Sequence, residues 1–355
     1  MDDLDSRVLR RASEWIAAGT PAALVTVVRT WGSAPRPPGS MMAINVQGET
    51  VGSVSGGCIE DDLVDHIRAG GIEKLCAQGL PTVLRYGISA DQAHRFGLPC
   101  GGTMELVVEA LSARSRLDEL LQACLRRENT ERSLNLQTGQ VDLRPASQDG
   151  LPRLDESCLH TTLGPRARII VIGAGDLSGF LCQIALGLGF EAIVCDPRAE
   201  HRATWSVPGV TVSQEMPDDL ILRLQPDART AVVALTHDPK LDDMALIDAL
   251  QSKAFYVGAI GSRRNAAMRA ERLQVHFGLS PQDLQSLHCP AGLYVGSKTP
   301  AEIALSIMAE VVAAKNGVLI PRQAQVAAAK SLQEGSNRVA GSSADAAHTA
   351  APCAL

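Results

Sequence analysis

The sequence predicts an α/β chain, with a Rossmann-type doubly wound parallel sheet in the C-terminal half and an α+β domain before it. Three observations predict this. From Arg166 onward, short β-branched runs alternate with helical runs, the pattern of βαβ units on a parallel sheet. Within that half, Ile169–Ile172 runs into the turn Gly173-Ala174-Gly175, and Asp196 follows the next apolar run. Before residue 145, expected strands and helices are separated by Gly- and Pro-rich turns, a different texture from the second half.

The chain has 355 residues, enough for two domains, and 45% of them are hydrophobic, so each can bury a core. No apolar run reaches the roughly 18–20 residues that cross a bilayer. The start, MDDLDSRVLRR, lacks the apolar stretch of a secretory signal. The expectation is a cytoplasmic protein. A net charge of −6 and 3% aromatic residues argue against a nucleic-acid partner. Nine cysteines occur without a CxxC or HExxH pattern, which argues against a zinc ribbon and, in a reducing compartment, for thiols.

Along the N-terminal domain (1–145), Leu4, Val8, Leu9 and Ala12 share one face of a helix from about Leu4 to Ala18. Strands are expected at Ala22–Val28, Met41–Val46, Thr50–Val54 and Met104–Glu109. A helix follows Gly56-Gly57-Cys58, another lies near Arg116–Arg127, and Thr138-Gly139 reads as a hairpin turn. Residues 146–165, with Pro145 before them and Gly150, Pro152, Gly164 and Pro165 within, read as a linker. The second domain is expected over 166–320, with strands at Ile169–Ile172, Ala192–Cys195, Thr230–Leu235 and Phe255–Val257. Thr299, Pro300 and Glu302 form a capping box that starts a final helix near Pro300–Lys315. The tail, 321–355, is rich in Ala, Ser and Gln and is expected to be disordered.

Candidate ligand residues cluster at strand ends and bare turns. Gly173 permits a sharp turn, and Gly175 lets backbone N–H groups approach a diphosphate at a helix N-terminus. Ser178 stands at the third glycine position. Asp196 stands where a ribose-binding carboxylate belongs, although Arg198 beside it can contact a phosphate. Thr236-His237-Asp238 and Gly258-Ala259-Ile260-Gly261-Ser262-Arg263-Arg264 follow two further strands, the positions where open α/β sheets bind ligands. Ser262 can cap the next helix while the arginines attract an anion. In the first domain, Arg36 sits on a loop stiffened by three prolines. Cys58 opens a helix after two glycines, which lowers a thiol pKa, while the acidic residues at 60–62 oppose that. Cys100 precedes Gly101-Gly102. Cys76, Cys124, Cys182 and Cys195 sit in apolar patterns and read as core; Cys158, Cys289 and Cys353 carry no signal.

Taken together, the segments GSAPRPPGSMM, GSVSGGCIE, GLPCGGTMELVVE, VIGAGDLS, CDPR, LTHDPKLDD, YVGAIGSRRN and GLYVGSKTPAEIALSIMAE resemble the xanthine dehydrogenase accessory protein (XdhC/CoxI) family, over roughly residues 10–316. The resemblance implies a chaperone without turnover of its own. Such a protein binds the molybdenum cofactor (molybdopterin or its dinucleotide form), assists its sulfuration with a cysteine desulfurase, and inserts it into an apo molybdenum hydroxylase of the xanthine dehydrogenase type. It also implies a homodimer. Carried over by position, it names Arg36, Cys58, Cys100, Asp196, Arg198, His237, Asp238, Gly258, Gly261, Ser262 and Arg263 as cofactor-binding residues, with Cys58 and Cys100 as molybdenum or sulfur contacts. Two other readings stay open. Gly173, Gly175 and Asp196 also fit an NAD(P)-dependent oxidoreductase, with a nucleotide in the Rossmann site and His237 as its acid or base. A thiol at Cys58 or Cys100 also fits a persulfide sulfur carrier.

Overall fold

The computed structural model describes residues 4–32, 36–87, 103–146, 150–326 and 328–329. It divides between Arg166 and Ala167 into two units. Cys100 and most of the 321–355 tail lie outside the described residues; the start of the tail, expected to be disordered, instead pairs with the C-terminal unit, where Gln325 bridges Leu293 and the Tyr294 N–H donates to the Ala324 carbonyl at 2.7 Å.

The N-terminal unit runs α1 (Leu4–Ala17), β1 (Ala22–Trp31), β2 (Met41–Asn45), β3 (Thr50–Gly52), α2 (Cys58–Gly70), β4 (Thr82–Tyr86), β5 (Thr103–Ala110), α3 (Leu117–Leu125), β6 (Thr130–Asn135), β7 (Val141–Pro145), β8 (Arg153–Leu154) and β9 (Cys158–Leu163). A five-stranded antiparallel sheet has the order β3-β2-β1-β5-β4. Both of its faces are covered, so β1 reads as a continuous apolar run rather than an alternating one. Ala23, Val25 and Val27 meet Ile59, Leu63 and Ile67 of α2. Ala22 and Leu24 meet Val8, Leu9 and Trp15 of α1 and Leu120 of α3. The second sheet, β7-β6-β9-β8, is also antiparallel. Its Leu134, Val141 and Leu159 pack on Val28 and Val107. The Thr138-Gly139 turn joins β6 to β7, with Asn135 Oδ1 accepting from the Gln137 and Thr138 N–H groups at 2.9 Å each.

The expectation of a linker over 146–165 is corrected here. Cys158–Leu163 pairs residue for residue with Thr130–Asn135 and is an inner strand of the second sheet. Its alternation is mostly polar: Leu159 and Thr161 are buried while Cys158 and His160 face outward. Leu159 is therefore the one buried large apolar side chain that marks the strand, and the prolines before it dominate the sequence signal.

The C-terminal unit runs β10 (Arg168–Ile172), α4 (Asp176–Gly187), β11 (Glu191–Cys195), α5 (Ala199–Ala203), β12 (Thr211–Ser213), α6 (Pro217–Leu224), β13 (Thr230–Ala234), α7 (Pro239–Leu250), β14 (Tyr256–Ala259), α8 (Arg263–Phe277), α9 (Pro281–Gln285), β15 (Leu287–His288) and α10 (Pro300–Lys315). Its six strands are parallel, in the order β12-β11-β10-β13-β14-β15. That is the Rossmann arrangement, with its switch point between β10 and β13. Alternate residues of β10 serve two cores. Ile169 and Val171 pack with Leu181 of α4 and Ile307 of α10, and Ile170 and Ile172 pack with Leu220 of α6 and Leu246 of α7. The capping box of α10 is formed: Thr299 Oγ1 accepts from the Glu302 N–H at 3.4 Å, and Glu302 Oε2 accepts from the Thr299 N–H at 3.0 Å. Among the described residues no helix is long and apolar enough to cross a membrane.

Candidate functional site

The carboxyl edge of the parallel sheet gathers most of the residues singled out from sequence. β10 ends in Gly173, whose φ of 105° is open to glycine. A Cβ there would lie 2.9 Å from Thr236 Cγ2, so the turn passes under the end of β13 only without a side chain. Gly175 caps α4 with no side-chain hydrogen bond, and a Cβ placed on it would meet nothing within 4 Å. No N-cap side chain takes the first-turn N–H groups of α4, the arrangement that receives a phosphate. The donor set fits the anionic end of a phosphorylated cofactor.

Asp196, directly after β11, is fully buried. Its Oδ2 accepts from the Ala174 N–H at 2.9 Å and from Arg198 Nη2 at 2.9 Å. Its Oδ1 accepts from the Arg198 N–H at 3.1 Å and from Arg198 Nε at 2.9 Å. Burial alone would raise the pKa of this carboxyl; the Arg198 guanidinium and the Ala174 N–H outweigh it and hold it below the usual value. Asp196 braces the glycine loop, and its partners already occupy the lone pairs that ribose hydroxyls would use.

Across the switch point, His237 is exposed and takes a left-handed backbone at φ 62°. Asp238 caps α7, with Oδ1 accepting from the Lys240 N–H at 2.9 Å. Ser262 caps α8 by accepting from the Asn265 N–H at 3.1 Å. Gly261, at φ 155°, gives the β14–α8 turn its shape, Gly258 is buried within β14, and Arg263 begins α8. An open cavity of about 240 Å³ lies here, with His237, Gly261, Ser262, Asn265, Leu177 and Ile303 in its lining.

Sequence reasoning missed what holds this edge. Arg269 of α8 is buried and donates from Nη2 to Asp242 at 2.9 Å, from Nε to Asp243 at 2.8 Å and from Nη1 to the Ile260 carbonyl at 3.1 Å. Asp242 in turn accepts from the Thr236 N–H at 3.1 Å and hydroxyl at 2.7 Å. One ionic frame therefore fixes both the β13 and the β14 loops. Asp242, Asp243 and Arg269 are charged residues within helices, and no local pattern in the sequence marks them as buried.

In the N-terminal unit, Gly56 and Gly57 have φ values of 90° and 150°, and Cys58 opens α2. Glu60 organises this turn. Its Oε1 accepts from the N–H groups of Val54 and Ser55 at 2.9 Å each and from Gly56 at 3.1 Å; its Oε2 accepts from the Gly57 N–H at 2.9 Å and from the Ser55 hydroxyl. Burial would raise the Glu60 pKa, but these bonds, led by Ser55, bring it down to about 2. Ser53 Oγ donates to Glu60 at 2.8 Å and accepts from Arg36 Nε at 3.4 Å, so Arg36 and the Cys58 turn belong to one hydrogen-bond chain. The thiols of Cys76, Cys182 and Cys195 are pushed by burial up to about 12, as befits core residues. Cys124 is only half-buried.

Two family models match the chain: the XdhC and CoxI family over residues 15–87, and the XdhC Rossmann domain over 169–311. The molybdenum cofactor insertion chaperone PaoD of Escherichia coli (strain K12) is 29% identical over 309 residues, 86% of this chain and 86% of that protein. A probable xanthine dehydrogenase component of Bacillus subtilis (strain 168) is 26% identical over 324 residues, 84% of this chain and 94% of that one. A crystal structure from Bacillus halodurans, described as a xanthine dehydrogenase, shares the fold with a TM-score of 0.70 at 23% identity, covering 92% of this chain and 99% of that one. With both of its domains matched in order, the chain belongs to the XdhC and CoxI family.

Proposed function

We propose that this chain is a cytoplasmic accessory chaperone in molybdenum cofactor maturation. It binds the cofactor, supports its sulfuration by a cysteine desulfurase, and delivers it to an apo molybdenum hydroxylase of the xanthine dehydrogenase type, working as a homodimer. The observation that carries the reading is the match along 86% of both chains to a molybdenum cofactor insertion chaperone. When bound, the cofactor brings a phosphate, a pterin and a soft dithiolene–metal centre.

The residues present suit that cargo. The Gly173–Gly175 turn and the open start of α4 offer backbone donors to the phosphate. His237, Ser262 and Asn265 line a cavity of about 240 Å³, sized for a phosphate or a single ring rather than a whole dinucleotide. Cys58 and Cys100 are the proposed sulfur ligands, a soft donor type that suits molybdenum. The closed Asp196–Arg198 pair weighs against a dehydrogenase reading, because ribose hydroxyls have to displace a guanidinium to reach Asp196.

The test is to purify the protein from a cofactor-producing strain and measure molybdenum and released pterin. Both are expected at a fixed ratio to protein, lost in Cys58→Ala. Wild-type folded protein that carries neither sinks the reading. Saturable NADH binding accompanied by hydride transfer replaces it with the oxidoreductase.

A further inference from the structure

The second sheet of the N-terminal unit holds a group of side chains that the cofactor reading does not use. Asp155, Cys158 and His160 each present one ligand atom, and the three atoms lie within 4.8 Å of one another. The sheet pleat explains the grouping. Cys158 and His160 are alternate residues of β9 and share its outer face, while Leu159 and Thr161 between and beside them are buried. Asp155 is brought alongside by the tight turn from β8, closed by the Asp155 N–H donating to the Cys158 carbonyl at 3.0 Å.

The hydrogen bonds leave the right atoms facing one another. Asp155 Oδ1 is occupied by the N–H groups of Ser157 at 2.9 Å and Cys158 at 2.7 Å. With Oδ1 so occupied, Oδ2 is the oxygen that faces the group. His160 Nε2 lies 3.1 Å from Asp155 Oδ2. Two ligands held at about 2.05 Å in a tetrahedral zinc site stand roughly 3.3 Å apart, so this pair is already spaced for a shared ion. On the other side of the ring, His160 Nδ1 lies 2.8 Å from Ser133 Oγ, directly across on β6, and Glu131 stands 3.8 Å away. That is the outer-shell contact that fixes the tautomer of a metal-binding histidine.

We infer that Asp155, Cys158 and His160 form a binding site for a divalent transition ion of the zinc type, with water as fourth ligand. An N, S and O set is too soft for magnesium or calcium, and one thiolate with one carboxylate neutralises the ion's charge. On binding, the Cys158 thiol releases its proton to solvent as the S–metal bond forms. The His160 proton moves from Nε2 to Nδ1, where Ser133 Oγ accepts it. No electron is transferred. The site clasps the turn after β8, a two-residue edge strand held to β9 by only two residue pairs.

The test uses the full-length, reduced protein stripped with chelator and titrated with Co²⁺. One equivalent is expected to give tetrahedral visible bands and a thiolate charge-transfer band, both erased by added Zn²⁺. Cys158→Ser loses the charge-transfer band, and Ser133→Ala, which keeps all three ligands, weakens binding by roughly 10-fold. The Cys58→Ala/Cys100→Ala double variant keeps both bands. Circular dichroism confirms folding of each variant. No tetrahedral bands in the wild type, a charge-transfer band that survives Cys158→Ser, or bands that vanish in the Cys58/Cys100 variant overturn the assignment.

Discussion

The turn before Cys58 and the loops at the Rossmann edge are held by opposite means. Before Cys58, a single half-exposed carboxylate, Glu60, collects the donors of residues 53–57. At the Rossmann edge, the loops after β13 and β14 hang on Arg269 locked between Asp242 and Asp243, all three sealed from water. A half-exposed acceptor can exchange its bonds for water at small cost, whereas a buried charge cannot. The Cys58 turn is therefore built to be remodelled, and the Rossmann edge is built to stay put. The function proposed above, in which a cargo is received and released, would use both properties.

The largest effect should come from the buried frame. Arg269→Ala leaves buried Asp242 without its counter-ion and Asp243 with Arg272 alone, and the C-terminal unit is expected to lose about 3–5 kcal/mol. Urea unfolding followed at Trp205, in the same unit, measures this. A loss under about 1 kcal/mol would mean that water reaches the aspartates, and the contrast drawn above would fail.

Glu60→Ala is expected to cost less, about 2 kcal/mol, because its hydrogen bonds are charge-assisted but partly open to solvent. Glu60→Gln keeps one acceptor and should recover part of the loss. Hydrogen exchange of the 53–59 backbone is the sharper readout: protection should fall there in both variants while the Rossmann edge is unchanged. Equal loss of protection in both regions breaks the comparison.

How far the sequence disclosed all this depends on the range of the interactions. The Gly173 loop, the Thr299 cap and β10 are local features, readable because each is a short run of residues with one physical requirement. The strands β12 and β15 are not legible, since they have three and two residues and lie at sheet edges, too short for any alternation to show. β9 is hidden by the prolines before it and by its polar outer face. At the site, Ser262 and Asp238 are legible as caps. Arg269 is not, because its partners lie 26 and 27 residues away and only the fold brings them together. Cys158 carries no signal alone; its neighbours Asp155 and His160 acquire meaning from a turn and a pleat.

A smaller effect is expected at the α7 cap. Asp238→Ala removes one acceptor at a helix start and should cost about 1 kcal/mol. Because Arg269 still anchors Asp242 and Asp243 of the same helix, the β13 loop should keep its exchange protection. Collapse of that protection would show that the cap, rather than the ionic frame, holds the loop.

Acid probes a second buried carboxylate of the C-terminal unit, with the smallest effect. Glu310 of α10 is buried and accepts from the Tyr256 hydroxyl at 2.7 Å, the Gly292 N–H at 2.6 Å and His288 Nδ1 at 2.9 Å. Burial alone would raise its pKa; His288, the Gly292 N–H and the Tyr256 hydroxyl outweigh that and hold it below the usual 4.5. A carboxyl depressed by folding adds stability above its unfolded pKa, and loses it as the pH falls through the folded value. The wild-type Tm should therefore exceed that of Glu310→Gln by a constant margin down to pH 4.5, and the margin should shrink below it. His288 and Tyr256 are the titratable groups in contact, and neither is removed by the substitution. A margin that stays constant into acid would place the carboxyl in water rather than in the core. The C-terminal unit would then have the same kind of solvent-exchangeable latch as the Cys58 turn.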